Sequence, residues 1–121
     1  MIDHIGLRTR RFVEMSAFYE TVLAPLGYRK LFAYEGGAGF GREGSASLWI
    51  GDAEHASAGI HLAIASATRT GVDAFYEAAM TIGAKDNGAP GLRPDYSPNY
   101  YAAFVLDPDG NNIEAVCHRP E

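Results

Sequence analysis

The chain has 121 residues, of which 47% are hydrophobic and 21% charged, and its formal net charge at pH 7 is −5. This length predicts one domain or two very small modules that share a core, and an acidic chain without a run of Lys or Arg argues against a nucleic-acid-binding surface. No apolar run is long enough to span a membrane, we expect no secretory signal, and a single cysteine, Cys117, favours a reducing cytoplasm.

The first half of the chain predicts a strand, a helix and two more strands. The segment 2–7 is short and rich in Ile and Leu, which is typical of a strand. Apolar residues then recur at helical spacing over residues 12–23. Residues 28–34 and 46–50 again predict strands, and we interpret the glycine-rich residues 35–45 as hairpin and loop.

The second half predicts a similar order of elements. A short apolar run at residues 59–66 predicts a strand, and an apolar stripe over residues 68–82 predicts a helix. Residues 85–99 are polar and rich in proline, which predicts a long loop. Residues 100–106 and 112–117 predict two strands joined by an Asp-Pro-Asp-Gly turn.

An internal repeat links the two halves. The letters AFYE occur at residues 17–20 and again at 74–77, and His4 and His61 are separated by the same offset. A strand with a histidine, followed by a helix that contains AFYE, therefore occurs twice. Each half thus has the predicted order strand, helix, strand, strand, with a third strand in the middle as an alternative. Such repeats are a strong guide to architecture.

Strand alternation isolates three side chains that can bind a metal. His4, His61 and Glu114 each point away from the apolar face of their predicted strand. Taken alone, a strand histidine is more often a structural residue and a strand glutamate more often faces solvent. The repeat places the two histidines at equivalent positions, however, and two imidazoles with one carboxylate suit non-haem Fe(II) or another divalent ion.

Four segments of the chain match a known family pattern: DHIGLR, AFYETVLAPLGYR, GIHLAIAS and YYAAFVLDPDGNNIEAVCH. On these segments the sequence resembles the vicinal oxygen chelate superfamily, which includes glyoxalase I, fosfomycin- and bleomycin-resistance proteins and extradiol dioxygenases. It implies an α+β fold of two βαβββ modules, at about residues 1–53 and 58–121 of a single domain 1–121, which form an open, cupped sheet around a divalent metal. It also implies a homodimer, with modules paired either within or between chains.

The resemblance implies metal ligands at His4, His61 and Glu114, with Fe, Mn, Ni or Zn as the ion. The fourth ligand position of the family falls on Trp49, whose indole can only donate a hydrogen bond. This departure argues against true glyoxalase I activity and leaves open a chain that binds no metal. The remaining set of two histidines and one carboxylate is similar to that of the extradiol dioxygenases. Those enzymes also share acid–base histidines and tyrosines around the metal, for which the resemblance offers Tyr96, Tyr100 or Tyr101 in this chain.

Three functions follow as alternatives. The first is a metal-dependent lyase or extradiol-type dioxygenase that acts on a small substrate with neighbouring oxygens, with Glu114 and Tyr101 as catalytic residues. The second is a non-catalytic protein that stacks a flat ligand on its aromatic residues, Tyr101 among them. The third is a regulatory protein with a vestigial metal site. The candidate substrate-binding residues are Phe40, Trp49, Arg93 and Tyr96.

Overall fold

The computed structural model describes residues 1–121. Eight strands and two helices follow one another along the chain, and a short 3₁₀ turn (Ala24–Leu26) follows the first helix. Their bounds are β1 (Ile5–Thr9), α1 (Phe12–Leu23), β2 (Arg29–Tyr34), β3 (Gly37–Arg42), β4 (Ser45–Asp52), β5 (His61–Ala65), α2 (Arg69–Thr81), β6 (Lys85–Leu92), β7 (Tyr101–Leu106) and β8 (Asn112–Cys117). No helix is long and apolar enough to cross a membrane.

The strands form two four-stranded sheets with the same topology. Their strand orders are β1-β4-β3-β2 and β5-β8-β7-β6. Strand β1 runs parallel to β4, and β5 runs parallel to β8. The other neighbouring strands run antiparallel. Each half therefore has the order strand, helix and three strands, which confirms the two βαβββ modules that the resemblance implies.

The two helices pack on one face of the sheets. The first helix, α1, contacts strands of the first sheet, α2 contacts strands of the second, and the helices touch each other. Their apolar stripes are buried in one core, in which Met15, Val22, Val72 and Phe75 are fully buried. We call the sheet surface away from the helices the open face.

The glycine-rich segment is a central strand, not the predicted loop. Strand β3 lies between β2 and β4. Two of its glycines lie under aromatic side chains: a Cβ on Gly37 would collide with the Tyr34 ring, and one on Gly39 would come within 2.7 Å of Trp49. A glycine-rich composition, which is typical of turns, here leaves space for the Tyr34 and Trp49 rings on the open face.

The predicted loop at residues 85–99 also begins with a strand. Strand β6 pairs with β7 at the edge of the second sheet, with two shifts in register. An edge strand tolerates Pro90, since proline lacks only an N–H that a central strand would need. Gly88 has a φ of 145°, which favours glycine at the irregular point.

A buried hydrogen bond joins the first helix to the turn before β8. The Tyr19 hydroxyl donates to Oδ2 of Asp107 at 2.6 Å. The Asp107 side chain also accepts from Asn111 Nδ2 at 2.9 Å and from the backbone N–H groups of Asp109 and Asn111. Burial, followed by the charge of Asp107, raises the pKa of Tyr19. These contacts fix the start of the strand that carries Glu114.

Strands β1 and β5 are both outer strands, and they are not hydrogen-bonded to each other. The segment after β4 covers part of the outer edge of β1, because Ser57 N donates to the Arg8 carbonyl at 2.8 Å. An apolar crevice of about 190 Å³ lies between the two sheets and is lined by Ile5 and Leu48 on one side and by residues 62–65 on the other. Each sheet thus keeps backbone groups available for pairing.

Candidate functional site

Glu114 is a buried carboxylate on the open face of the second sheet. Its neighbours Ile113 and Ala115 point into the core, so alternation along β8 turns Glu114 the other way. The side chain is only 1% exposed. The Tyr100 hydroxyl donates to its Oε1 at 2.5 Å, and His61 Nε2 lies 2.8 Å from its Oε2. Both oxygens are therefore satisfied, as a buried charge requires.

His61 connects this carboxylate to solvent. It is the first residue of β5, which pairs in parallel with β8, so that Ala63 lies opposite Glu114. The imidazole is 54% exposed because β5 is an outer strand. An ionised carboxylate can only accept a hydrogen bond, and Nε2 therefore carries the hydrogen in this contact.

Tyr100 is held in place from several sides. It lies directly before β7 and closes a turn in which Arg93 N donates to the Tyr100 carbonyl at 2.7 Å. Its ring makes edge contacts with Tyr96 and His118, each with centroids 5.1 Å apart. Burial, then the hydrogen bond to Glu114 and its charge, raise the pKa of Tyr100 to about 12. The hydroxyl is therefore a donor at neutral pH.

The His61–Glu114 pair fits a divalent metal ion. Two ligand atoms bound about 2.1 Å from one ion at right angles lie about 3 Å apart. The 2.8 Å separation of His61 Nε2 and Glu114 Oε2 is close to that value. An imidazole and a carboxylate also suit Zn, Fe, Mn or Ni. The proton between the two atoms occupies the place that an ion would take.

His4 is not part of this pair within one chain. It precedes β1, its side chain is 58% exposed, and its Nδ1 lies 2.6 Å from Oδ1 of Asp3. No group of three or more His, Cys, Asp or Glu side chains lies close enough to hold a metal. With Nδ1 bound to a carboxylate, Nε2 of His4 is left as a potential metal ligand.

Trp49 occupies the position in the first sheet that Glu114 has in the second. Trp49 lies opposite Gly6, two residues after His4, and Glu114 lies opposite Ala63, two residues after His61. Indole therefore replaces the carboxylate at the equivalent site.

Trp49 belongs to an aromatic group on the open face. Phe32 stacks on it with centroids 5.6 Å apart and an interplanar angle of 20°, and Tyr34 lies tilted at 6.4 Å. Trp49 and Tyr34 line a shallow pocket of about 470 Å³ that also includes Arg8. The group presents flat apolar surface beside a cation.

Two of the predicted site residues lie on the helix side of the sheets. The Tyr101 hydroxyl donates to Oδ1 of Asp73 in α2 at 2.7 Å, and Phe40 is 1% exposed in the core. The structure does not bring either one to Glu114. The tyrosine that contacts Glu114 is Tyr100, one residue earlier, because side chains alternate between faces at each step.

The two remaining candidates lie near Tyr100. Arg93 donates to the carbonyls of Gly91 and Ala89, and its guanidinium lies 5.3 Å from the centre of the Phe104 ring. Its hydrogen-bonding groups are thus used largely within its own segment. Tyr96 is 65% exposed at the edge of the Tyr100 ring, which leaves it accessible to a ligand.

A family model described as the Glyoxalase/Bleomycin resistance protein/Dioxygenase superfamily matches residues 1–115. A glyoxalase/bleomycin resistance protein from Albidiferax ferrireducens T118 is 26% identical, with a TM-score of 0.79 and 97% of each chain covered. A glyoxalase/bleomycin resistance protein/dioxygenase family enzyme from Burkholderia phytofirmans PsJN is 21% identical, with a TM-score of 0.74 and 98% of each chain covered. Lactoylglutathione lyase from Agrobacterium tumefaciens is 18% identical, with a TM-score of 0.70, and 97% of this chain and 92% of that chain are covered. No curated protein matches the chain.

Proposed function

The chain belongs to the glyoxalase/bleomycin resistance protein/dioxygenase superfamily, and we propose that it is an enzyme that binds a divalent metal ion through His61 and Glu114. Its substrate would be a small molecule with two neighbouring oxygens. The observation that carries this proposal is the fully buried Glu114 carboxylate, which is joined at 2.8 Å to a half-exposed imidazole on the open face. Burial of a charge at such a site is costly, and a bound cation would offset that cost.

A third ligand, His4, would come from a second copy of the chain. His4 directly precedes β1, and both β1 and β5 are outer strands; the segment after β4 is hydrogen-bonded to β1 at Arg8 and Thr9, at the end of the strand away from His4. If β1 of one copy lies beside β5 of the other, His4 approaches the His61–Glu114 pair of its partner. The resulting homodimer has two equivalent sites related by its symmetry axis.

The bound ion would supply Lewis-acid stabilisation of an oxyanion or enolate-like species. His61 and Glu114 would hold it, while Tyr100 would keep its hydrogen bond to Oε1 of Glu114. Glu114 would also be the base, which requires Oε2 to be free of the ion when it accepts a proton from the substrate. A lyase-type rearrangement would need only this set, whereas extradiol-type ring cleavage would also need O₂ as the oxidant and a redox-active ion, so substrate screens should begin with vicinal diols, catechols and glutathione adducts and should include O₂.

Anaerobic calorimetric titration with Fe(II), Mn(II), Ni(II) and Zn(II) tests the metal site. We expect stoichiometric binding by the wild-type chain and its loss in His61→Ala and Glu114→Gln. His55→Ala is the matched control, because His55 is exposed and lies outside the pair. Retention of full affinity in His61→Ala, or no binding by the wild type, would disprove the metal proposal.

Mixing two defective chains tests the position of His4. We expect His4→Ala and His61→Ala each to bind metal poorly. In a refolded equal mixture, a site shared between chains is intact once in each mixed dimer, which restores about a quarter of all sites. A site formed within one chain gives no recovery on mixing.

Binding of a flat ligand without catalysis is a second candidate function. It is favoured by the exposed stack of Phe32 on Trp49 above Gly39, because such surfaces take planar ligands well. Trp49 is the only tryptophan, so its fluorescence reports binding directly. Saturable quenching of this fluorescence by a planar aromatic ligand, equal with and without metal, would support this function. The quenching should be lost in Phe32→Leu. Quenching that needs metal would favour the enzyme instead.

A further inference from the structure

The two oxygens of Glu114 have different surroundings. Oε1 accepts from the hydroxyl of Tyr100, and Oε2 faces Nε2 of His61. The His61 side chain is 54% exposed, whereas Tyr100 is half-buried. Only Oε2 therefore lies toward the ligand side of the pair.

The position of Tyr100 is fixed independently of Glu114. Its backbone closes the turn from Arg93, since Arg93 N donates to its carbonyl and its own N–H donates to the Ser97 carbonyl at 3.3 Å. Its ring lies between Tyr96 and His118, with interplanar angles of 84° and 88°. Such edge contacts restrict the ring, so the hydroxyl is aimed at one point.

We propose that Tyr100 is a positioning residue that caps Oε1 of Glu114, so that the carboxylate presents a single oxygen, Oε2, on the open face. A hydrogen bond to an ionised acceptor is stronger than a neutral one. With Oε1 occupied, the carboxylate is fixed in rotation and its second oxygen is unavailable to a ligand.

The consequence for chemistry rests on the proposed metal function. A carboxylate that offers one oxygen uses one coordination position of an ion, and one that offers two uses two. The Tyr100 cap would thus leave an additional position open. A substrate with two neighbouring oxygens needs two such positions. The cap therefore favours chelation of the substrate over chelation by the protein.

Tyr100→Phe tests the cap, and Tyr101→Phe is its matched control. Phenylalanine keeps the ring contacts of Tyr100 and removes only its hydroxyl. The control removes a neighbouring hydroxyl that also donates to a carboxylate, at 2.7 Å, but on the helix side. Two readouts are used: the imidazole 15N–1H NMR signals of the metal-free protein, and the visible spectrum of the protein loaded with Co(II).

We expect Tyr100→Phe to lose the protected Nε2–H signal of His61, because an uncapped carboxylate no longer holds Oε2 toward it. We also expect a fall in Co(II) d–d absorbance, which accompanies a rise in coordination number. Tyr101→Phe should match the wild type in both readouts. A His61 signal in Tyr100→Phe that is identical to that of the wild type would overturn the cap. If the wild type binds no Co(II), the metal proposal fails, and the imidazole signal alone still decides the role of Tyr100.

Discussion

Replacing Gly39 by alanine is expected to push the Trp49 ring away from the first sheet. A Cβ at this position would lie 2.7 Å from one ring carbon of Trp49 and 2.9 and 3.0 Å from two others. Ordinary contact begins at 3.4 Å, so the ring must lift. The stack with Phe32, whose centroid is 5.6 Å away, would then be disturbed.

The cost follows from two opposing terms. Inserting a methyl group where the neighbours must shift costs about 1–3 kcal/mol. Alanine also lowers the conformational entropy of the unfolded chain relative to glycine, which stabilises the folded state by about 0.4–1 kcal/mol. Trp49 is only partly buried, and the atoms nearest to the new Cβ are at the far end of its side chain, so the ring can shift. We therefore expect a net loss of about 1 kcal/mol in the free energy of unfolding.

Urea unfolding followed by circular dichroism measures this loss, and the emission of the single tryptophan reports the ring. Gly51→Ala is the control: Gly51 lies on the same strand as Trp49, two residues further on, and a Cβ there would meet nothing within 4 Å. We expect the control to be as stable as the wild type or slightly more so, with unchanged emission. Equal stability and equal emission in Gly39→Ala and Gly51→Ala would refute the reasoning.

Three further changes have expected outcomes. Tyr19→Phe should lower the free energy of unfolding by about 2 kcal/mol in urea, because buried Asp107 loses a donor. Because the pKa of Tyr19 is raised in the folded state, the stability that this hydroxyl contributes is complete below about pH 10. Above that pH it declines by about 1.4 kcal/mol per pH unit. Tyr19→Phe should remove one tyrosine's share from the slope of unfolding free energy against pH, and an unchanged slope would contradict this. Thr68→Ala should cost about 1 kcal/mol in a thermal melt, since the Thr68 hydroxyl accepts from Gly71 N at 3.0 Å. Phe75→Ala, at a fully buried site, should cost about 3–5 kcal/mol in urea, and a loss below about 1 kcal/mol would place Phe75 outside the core.

The helices and most strands could be predicted from the sequence because their periodicity records burial. The stripe over residues 12–23 became α1, and β8 has the predicted bounds 112–117. Strands β3 and β6 could not be predicted, because their glycines and proline are also typical of loops. In β3, Gly37 and Gly39 are required by side chains from two other strands, which a local pattern does not contain.

Half of the candidate site followed from strand alternation. That rule predicted that His61 and Glu114 share a face, and they meet at 2.8 Å. Alternation within the predicted strand 100–106 also separates Tyr100 from Tyr101, but it does not say which of the two faces Glu114; the structure shows that it is Tyr100. The place of His4 depends on how sheets pair, and neither spacing nor burial within one chain contains that information.

The hydrogen bond between Tyr19 and Asp107 spans 88 residues of sequence, and this has a consequence during synthesis. Helix α1 leaves the ribosome long before the turn that contains Asp107, so the Tyr19 hydroxyl has no hydrogen-bond acceptor until that turn is synthesised. Contacts of such separation form late and slow the search for the native state. The first repeat therefore cannot complete its packing until the second repeat has been synthesised and has folded against it.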